Sequence, residues 1–177
     1  MIPSQAEMGE LDEAWAAALS EAEQKARLAG RRDLADYLSL RNSNDLIRKA
    51  GVDWLVTMFT TLAGDANRAG ASIQISNKED HRFPMGPSTM VGHLLTLRSG
   101  VRTLLIEAGW PRTPRDGIVR GGGLACANIR HMGIKSANDE LLLAKSNNGV
   151  PAWKSLLKKR SVIHESDIRR HITILIG

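Results

Sequence analysis

The sequence predicts an α+β protein in which N-terminal helices pack on an antiparallel sheet of about five strands. Apolar residues recur at helical spacing through residues 1–70. From residue 71 onward they alternate with polar residues or lie between Gly, Pro and Asn turn signals. A chain of 177 residues is long enough to bury a hydrophobic core without covalent staples.

The first helix is expected over residues 10–29, and Gly30 is its expected C-terminal stop. Ser4 and Glu7 have the spacing of a capping box, which would begin the helix earlier. Its apolar face is expected to point inward through five residues: Leu11, Trp15, Leu19, Ala22 and Ala26.

Two more helices are expected before the sheet, over residues 31–41 and 45–69. The Asn-Ser-Asn run at 42–44 is typical of a cap between them. Gly51 is a candidate kink, and Gly70 a candidate C-terminal cap. The inward side chains are predicted to include Leu34, Tyr37, Leu38, Trp54 and Phe59.

The next segments predict strands. Residues 71–76 alternate as a half-buried strand does, whereas 77–87 are charged, contain two prolines, and are interpreted as a loop. Residues 89–98 and 101–109 predict a hairpin joined by Ser99-Gly100. The register implied by that turn has four pairs: Arg98 with Val101, Thr96 with Thr103, Leu95 with Leu104, and His93 with Ile106. The expected core face carries Val91, His93, Leu95, Leu97, Leu104 and Ile106.

Two prolines exclude a central strand at 110–117, which is therefore interpreted as a loop. The remaining strand candidates are 118–131, interrupted by Gly121-Gly122-Gly123, then 139–146, and 150–153 after an Asn-Asn-Gly turn. Residues 166–176 fit a helix or a strand. We choose a helix because Ser166 is a candidate N-cap.

The predicted organisation is a single α+β domain over residues 1–153, helical to residue 70 and mainly β over 71–153. Residues 154–177 are predicted to be a basic C-terminal appendage. Residues 1–69 carry 8 Lys+Arg and 11 Asp+Glu, a net −3, and residues 70–177 carry 16 and 8, a net +8. This asymmetry indicates a polyanionic partner or an acidic surface on a second copy of the chain, and ordinary solubilising charge is the alternative.

Composition excludes several classes. One cysteine rules out an internal disulfide and a cysteine-based metal cluster. The start of the chain lacks the pattern of a secretory signal, and no apolar run approaches the ~20 residues of a membrane span. We therefore expect a cytoplasmic protein without a membrane partner.

Catalytic and metal-binding motifs are weak in this sequence, and no catalytic residue, metal site or cofactor is predicted. The triple glycine lacks both the GxGxxG spacing and a following Lys-Ser or Lys-Thr, so a bulge or close backbone approach is the favoured interpretation. Cys126 and His131 would point to opposite faces of a strand, which disfavours a nucleophile–base pair. None of the five histidines lies in a metal-ligand motif.

The strongest functional signal is a concentration of arginines between residues 96 and 133. Guanidinium groups bind phosphates and carboxylates through paired donors, and an aromatic ring beside them can stack on a base or on an arginine. The alternative is that Glu107 and Asp116 neutralise some arginines while the tryptophan anchors the loop. The candidate anion-binding residues are Arg98, Trp110, Arg112, Arg115, Arg120 and Arg130.

These observations favour a non-enzymatic binding module whose arginine-rich loop or sheet surface binds an anionic ligand or nucleic acid. One alternative is a homo-oligomeric structural or interaction protein, in which an acidic part of one chain meets a basic part of another. A second alternative is a small enzyme with a pocket around residues 110–123, although no nucleophile, base and orienting group can be assembled from local spacing.

Overall fold

The computed structural model describes the backbone of residues 5–177 and the side chains of residues 13–177. Within that range the chain forms three α-helices and six strands, which confirms the α+β class with six strands rather than about five. The helices are α1 (Gln5–Leu28), α2 (Arg32–Arg68) and α3 (Glu165–Ile176). The strands are β1 (Gln74–Met85), β2 (Ser88–Ser99), β3 (Arg102–Trp110), β4 (Ala125–His131), β5 (Asp139–Lys145) and β6 (Pro151–Ser155).

The six strands form one antiparallel sheet in chain order, each strand hydrogen-bonded to the next. The chain divides into two compact units, one ending at Ile47 and the other running over Arg48–Gly177. The boundary falls inside α2. None of the helices within the described residues combines the length and the apolar run that a bilayer span requires.

The first unit contains α1 and the start of α2. Gly30 ends α1 with a positive φ of 74°, as predicted, whereas Ser4 of the predicted capping box lies outside the described residues. Leu19 and Ala26 are buried, but Trp15 and Tyr37 are each more than half exposed, so their predicted inward orientation is wrong. Leu34, and Trp54 further along α2, are also exposed against the prediction, and the side chain of Leu11 lies outside the described residues. The Trp15 ring lies instead at the surface, with the Arg41 guanidinium 5.7 Å from its centroid.

Helix α2 is continuous over 37 residues, so the predicted break at residues 42–44 is wrong. A capping sequence is a weak local preference that the surrounding helix can override. Gly51 serves packing rather than a kink, because a Cβ there would lie 2.5 Å from Cδ2 of Leu143. The Gly51 carbonyl also accepts a 2.9 Å hydrogen bond from Nε1 of Trp153, which ties α2 to β6.

Strand β1 includes most of the segment predicted as a loop at 77–87. It lies at the sheet edge, where a proline such as Pro84 need not donate to a ladder and charged side chains face solvent. The pairing with β2 shifts between Lys78 and His81, and Asp80 there has a φ of 53°. This irregularity sets the position of His81 on the sheet.

The β2–β3 hairpin forms as predicted, but its register differs by two residues. The structure pairs Leu95 with Ile106 and Arg98 with Thr103, and the two-residue turn is Gly100-Val101. Gly100 has a φ of 58° at the first turn position, where type II′ turns place glycine. Because a shift of two preserves the alternation of faces, the predicted core face is correct.

Strand β4 begins at Ala125, after the triple glycine rather than around it. Gly121 and Gly122 have φ values of 73° and 72° in a short 3-10 turn over Arg120–Gly122. The glycines therefore make a turn before the strand, and the predicted interruption within residues 118–131 is wrong.

One face of the sheet, the helix face, packs against the second half of α2 and against α3. Ten apolar side chains there are at most 2% exposed: Leu95, Leu97, Leu104, Ile106, Ala108, Ala125, Ala127, Ile129, Leu141 and Leu143. Helix α3 confirms the helical interpretation of residues 166–176, although its N-cap position is His164 rather than Ser166. We call the other side of the sheet the open face.

A buried histidine pair joins α3 to the sheet. Nε2 of His131 lies 2.9 Å from Nδ1 of His171, and both residues are buried. Burial lowers the pKa of His171 to about 4, with His131 as a second cause, and burial also lowers the pKa of His131. Asp139, which is also buried, accepts a 2.6 Å hydrogen bond from Ser155 and lies 3.0 Å from Nζ of Lys158.

Two glycines face each other at the centre of the sheet. Gly92 of β2 pairs with Gly109 of β3, and both lie on the open face. A Cβ at Gly92 would lie 2.0 Å from the carbonyl oxygen of Ala108, and one at Gly109 would lie 2.4 Å from that of Val91. The backbones approach so closely here that no side chain fits.

We expect the stability of the fold to fall on acidification because of His171. The unfolded chain binds a proton near the ordinary pKa of 6.5, whereas the folded chain binds it only near about 4. The contribution of neutral His171 to the free energy of unfolding is therefore complete above pH 6.5. As the pH falls towards 4, the free energy of unfolding decreases by up to roughly 3 kcal/mol. Denaturant unfolding measured from pH 7.5 to pH 4.5 checks this. His171→Leu should flatten the slope, and the control His164→Asn should retain it; an unchanged slope in His171→Leu contradicts the assignment.

We expect Gly92→Ala and Gly109→Ala to destabilise the fold by about 1–3 kcal/mol or more, because a methyl group would overlap the facing backbone. Gly64→Ala is the matched control, since its Cβ would meet only an arginine nitrogen at 3.7 Å within α2. That helical substitution should stabilise by about 0.5–1 kcal/mol. Urea denaturation of the three variants measures both effects, and equal stabilities would contradict the close approach.

Candidate anion-binding surface

The loop between β3 and β4 is organised around the buried carboxylate of Asp116. Its Oδ2 accepts hydrogen bonds of 3.0 Å from the backbone N–H groups of Arg112 and Thr113, and Oδ1 lies 2.5 Å from Arg82 on β1. Burial by itself acts to raise the pKa of this carboxyl, but the two N–H groups and the guanidinium outweigh it and hold the pKa below its usual value. The carboxylate therefore shapes the loop that carries the candidate arginines.

Trp110 anchors the start of this loop on the helix-face side. The ring is 9% exposed, and the Arg112 guanidinium lies over it at 3.8 Å from the centroid. Of the two stacking partners considered from the sequence, a base or an arginine, the ring has an arginine. Trp110 therefore positions Arg112.

The second part of the loop lies along the β1–β2 turn. Ser88 Oγ donates to the Ile118 carbonyl at 2.8 Å and accepts from its N–H at 3.2 Å. The Arg120 guanidinium carbon would lie 3.7 Å from a Cβ at Gly86, and Arg160 NH2 would lie 3.7 Å from one at Gly121. Arg120 is thus the first residue of the glycine turn, with its guanidinium beside Gly86, and Arg160 lies beside the same turn at Gly121.

We define the rim surface as Arg112, Arg115, Arg120 and Arg160. Arg115, Arg120 and Arg160 are exposed, and within the described part of the chain no carboxylate is paired with any of these three. Arg160 and the preceding Lys159 both have positive φ values, 57° and 51°, which are uncommon for residues other than glycine. Of the rim residues, the sequence singled out three, and Arg160 belonged only to its general description of a basic C-terminal segment.

The other two candidate arginines lie elsewhere. Arg98 is on the open face near the β2–β3 turn, seven residues along β2 from Val91, the partner of Trp110. At about 3.3 Å per residue this is roughly 23 Å from the loop end of the sheet. Arg130 is also on the open face, where it forms an ion pair with Glu107. The structure therefore places Arg112, Arg115 and Arg120 on the rim, Arg98 and Arg130 on the open face, and Trp110 on the helix-face side beneath Arg112.

The Glu107 carboxylate is the centre of a polar cluster that the sequence did not reveal. It is 5% exposed, and its Oε1 lies 2.8 Å from Nε2 of His81. Its Oε2 lies 3.3 Å from Nδ2 of Asn128 and 3.0 Å from NH2 of Arg130. We call these four residues the open-face cluster. The correct hairpin register would have paired Glu107 with Leu94. The sequence could not have placed His81 beside Glu107, because the position of His81 on β1 depends on the irregularity at Asp80.

Cys126 has the environment of a structural thiol. It packs on the open face with Phe83, Met90 and Leu142 in an apolar cluster that Val119 partly covers. Burial, and then the charge of Glu140, raises the pKa of the thiol to about 11, so it is protonated near neutral pH. As predicted from strand alternation, Cys126 and His131 point to opposite faces. Within the described residues, no three His, Cys, Asp or Glu side chains gather as a metal site would require.

In comparisons with known proteins, no protein-family model, no curated protein and no solved structure matches this chain.

We expect Asp116→Asn to loosen the β3–β4 loop. The substitution removes the charge that pairs with Arg82 and weakens two backbone hydrogen bonds, so it should cost about 1–3 kcal/mol. Hydrogen exchange of residues 111–119, followed by mass spectrometry, should become faster. Arg115→Gln is the control, because this exposed side chain has no carboxylate partner and should change stability by less than about 0.5 kcal/mol. Unchanged exchange in Asp116→Asn would show that the loop does not depend on this carboxylate.

Proposed function

We propose that this chain is a non-enzymatic binding module that binds phosphate-bearing anions, and nucleic acid in particular, through the rim surface. One observation carries the proposal: Arg115, Arg120 and Arg160 are exposed without a carboxylate partner in the described residues, and two of them lie beside a glycine turn. Arginine binds phosphate through a planar fork of donors, and unpaired guanidinium groups retain those donors for a ligand.

The local charge balance supports this proposal. The nearest buried acid of the loop, Asp116, is already satisfied by Arg82 and two backbone N–H groups, so it does not neutralise the rim. Residues 48–177 carry 19 Lys+Arg and 10 Asp+Glu, a net +9. A positive field of this kind attracts polyanions over distances beyond direct contact.

The ring of Trp110 directs the proposal towards phosphates rather than bases. It is largely covered by Arg112, so it does not offer the open stacking platform that base recognition uses. Binding through phosphates alone predicts little dependence on nucleotide sequence and strong dependence on salt concentration.

We expect the full chain to bind a labelled single-stranded oligonucleotide at about 50 mM salt and to weaken steeply towards about 200 mM. The triple variant Arg115→Gln/Arg120→Gln/Arg160→Gln should reduce the slope of log K against log salt by roughly 2–3, because each phosphate contact contributes about 0.7–0.9. Fluorescence anisotropy with randomised single strands and duplexes measures this.

The matched control is Lys25→Gln/Lys49→Gln/Arg169→Gln. It removes the same net charge, but each of these cations is already paired with a carboxylate on its own helix, at 2.6, 2.9 and 2.5 Å. This control should retain most of the affinity. An equal loss of oligonucleotide affinity in the rim variant and in this control would contradict the proposal. So would the absence of binding by the parent chain at low salt.

A second candidate function is self-association through the first unit. Its helices expose a set of large apolar side chains, each more than half exposed: Trp15, Leu28, Tyr37, Leu40 and Leu46. Exposed aromatic and leucine side chains at this density are typical of interfaces. Residues 1–47 carry 5 Lys+Arg and 9 Asp+Glu, a net −4, which complements the +9 of residues 48–177 in a second copy.

We expect light scattering after size-exclusion chromatography to show a mass that rises with protein concentration. Tyr37→Ser/Leu40→Ser should shift the equilibrium towards monomer, because it removes apolar area from the interface. Val101→Ser is the control, since Val101 is a fully exposed apolar residue on the β2–β3 turn of the second unit. A monomeric parent chain at every concentration would contradict self-association and would leave the anion-binding proposal unaffected.

A further inference from the structure

The open-face cluster occurs where the cover of the β3–β4 loop ends. Under the loop, the open face packs Phe83, Met90, Cys126 and Leu142, with Val119 against them. The next pair on this face after Gly109 and Cys126 is Glu107 on β3 with Asn128 on β4, and Arg130 follows two residues later on β4. The chain thus fills the covered part of this face with apolar side chains and changes to polar ones where the face opens.

Burying a carboxylate here needs a reason beyond stability. A buried ion cluster is on average no more stabilising than apolar packing of the same volume. The neighbouring row already contains such packing. The groups that Glu107 orients therefore explain its position better than stability does.

The facing glycines let His81 reach Glu107. His81 on β1 is opposite Gly92 on β2, and Gly92 is opposite Gly109 on β3. Neither glycine has a side chain that could keep His81 from Glu107, which lies two residues before Gly109 on β3. The His81 ring is also stacked on the buried Phe83, with centroids 6.0 Å apart and planes 14° apart. The ring is therefore held in one orientation.

Glu107 itself is saturated, but its partners are not. Its oxygens contact His81 and Asn128 at hydrogen-bond distance, and Oε2 also lies 3.0 Å from NH2 of Arg130 in an ion pair. Because an ionised carboxylate only accepts, Nε2 of His81 carries the proton in this contact. Nδ1 of His81 has no partner within the described residues. Arg130 forms an ion pair with Glu107 through NH2, and its side chain is 48% exposed, whereas that of His81 is 19% exposed.

We propose that the open-face cluster is a binding site for a single phosphate-type oxyanion, in which Arg130 and Asn128 donate to the ligand oxygens and Glu107 positions them. A guanidinium paired with a carboxylate through one nitrogen keeps its other N–H groups, and two of these match two oxygens of one anion. In the neutral ring, Nδ1 of His81 accepts a hydrogen bond. This matches the hydroxyl of a singly protonated phosphate and finds no counterpart on sulfate.

Arg98 adds positive charge to this face. It lies on β2, two residues beyond Thr96, and Thr96 is in the same row as Leu105 and Arg130. Arg98 is exposed and has no carboxylate partner among the described residues. Two strand spacings, about 10 Å, separate β2 from β4, so Arg98 contributes field rather than direct contact to a small anion at Arg130.

The decisive test uses Glu107→Gln in the full chain, titrated with inorganic phosphate by isothermal calorimetry at pH 7. If only charge mattered, removing this carboxylate would strengthen anion binding. Because the proposal gives Glu107 a positioning role, we expect binding to weaken by about tenfold or more. Glu140→Gln is the matched control: it removes a carboxylate from an exposed residue beside Asn128 on the same face and should not weaken binding.

Two further variants keep the test informative if Glu107→Gln folds poorly. Arg130→Lys retains the charge but loses the planar fork, so phosphate binding should also weaken. His81→Phe keeps a ring that can stack on Phe83 and removes Nδ1, so it should abolish the preference for phosphate over sulfate. Acetate is titrated beside these two anions to separate phosphate from carboxylate ligands.

Several outcomes would overturn the proposal. These are no phosphate binding by the parent chain, tighter binding by Glu107→Gln, unchanged binding by Arg130→Lys, and binding of acetate in preference to phosphate. If the Arg115/Arg120/Arg160 triple variant abolishes phosphate binding while Arg130→Lys does not, the anion binds at the rim, and the open-face site is rejected while the proposed function stands. If Arg130→Lys abolishes phosphate binding while the triple variant does not, the result supports the open-face site independently of the rim.

Discussion

The close approach of β2 and β3 at Gly92 and Gly109 is the constraint on which the polar features of the sheet depend. Neither position has room for a Cβ against the opposing carbonyl. Because both positions lack side chains, His81 on the edge strand reaches across β2 to Glu107 on β3. Gly109 is paired with Cys126 of the apolar cluster, so the two glycines lie where this face changes from apolar to polar side chains.

Among residues 13–177, buried carboxylates organise the structure in three places, each in a different way. Asp116 folds a loop by accepting backbone N–H groups, and Glu107 gathers side chains from β1 and β4 on the open face. Asp139 lies on the helix face beside Ser155 and Lys158. For Asp116 and Glu107 the cost of desolvating the charge is offset by contacts to both oxygens, whereas Oδ2 of Asp139 has only the ion pair with Lys158.

The arginines illustrate why charge counts alone do not define a binding surface. Arg82 and Arg130 are engaged by buried acids, and Arg112 is stacked on Trp110. Arg115, Arg120 and Arg160 have no such partners within the described residues, although the sequence does not distinguish them from the others. What separates the two groups is which side chain the fold brings within hydrogen-bond distance, and this decides which guanidinium groups a ligand can use.

The sequence by itself determined the class of the fold, the hairpin, the core face of β2 and β3, and the opposite orientations of Cys126 and His131. These follow from local periodicity, since side chains alternate along any strand whatever its neighbours are. Only the tertiary structure decided the continuity of α2, the strand state of the charged residues 77–85, the two-residue shift in register, and the meeting of His81 with Glu107 across β2. Each of these depends on contacts between residues distant in sequence, where packing and close backbone approach outweigh local preference.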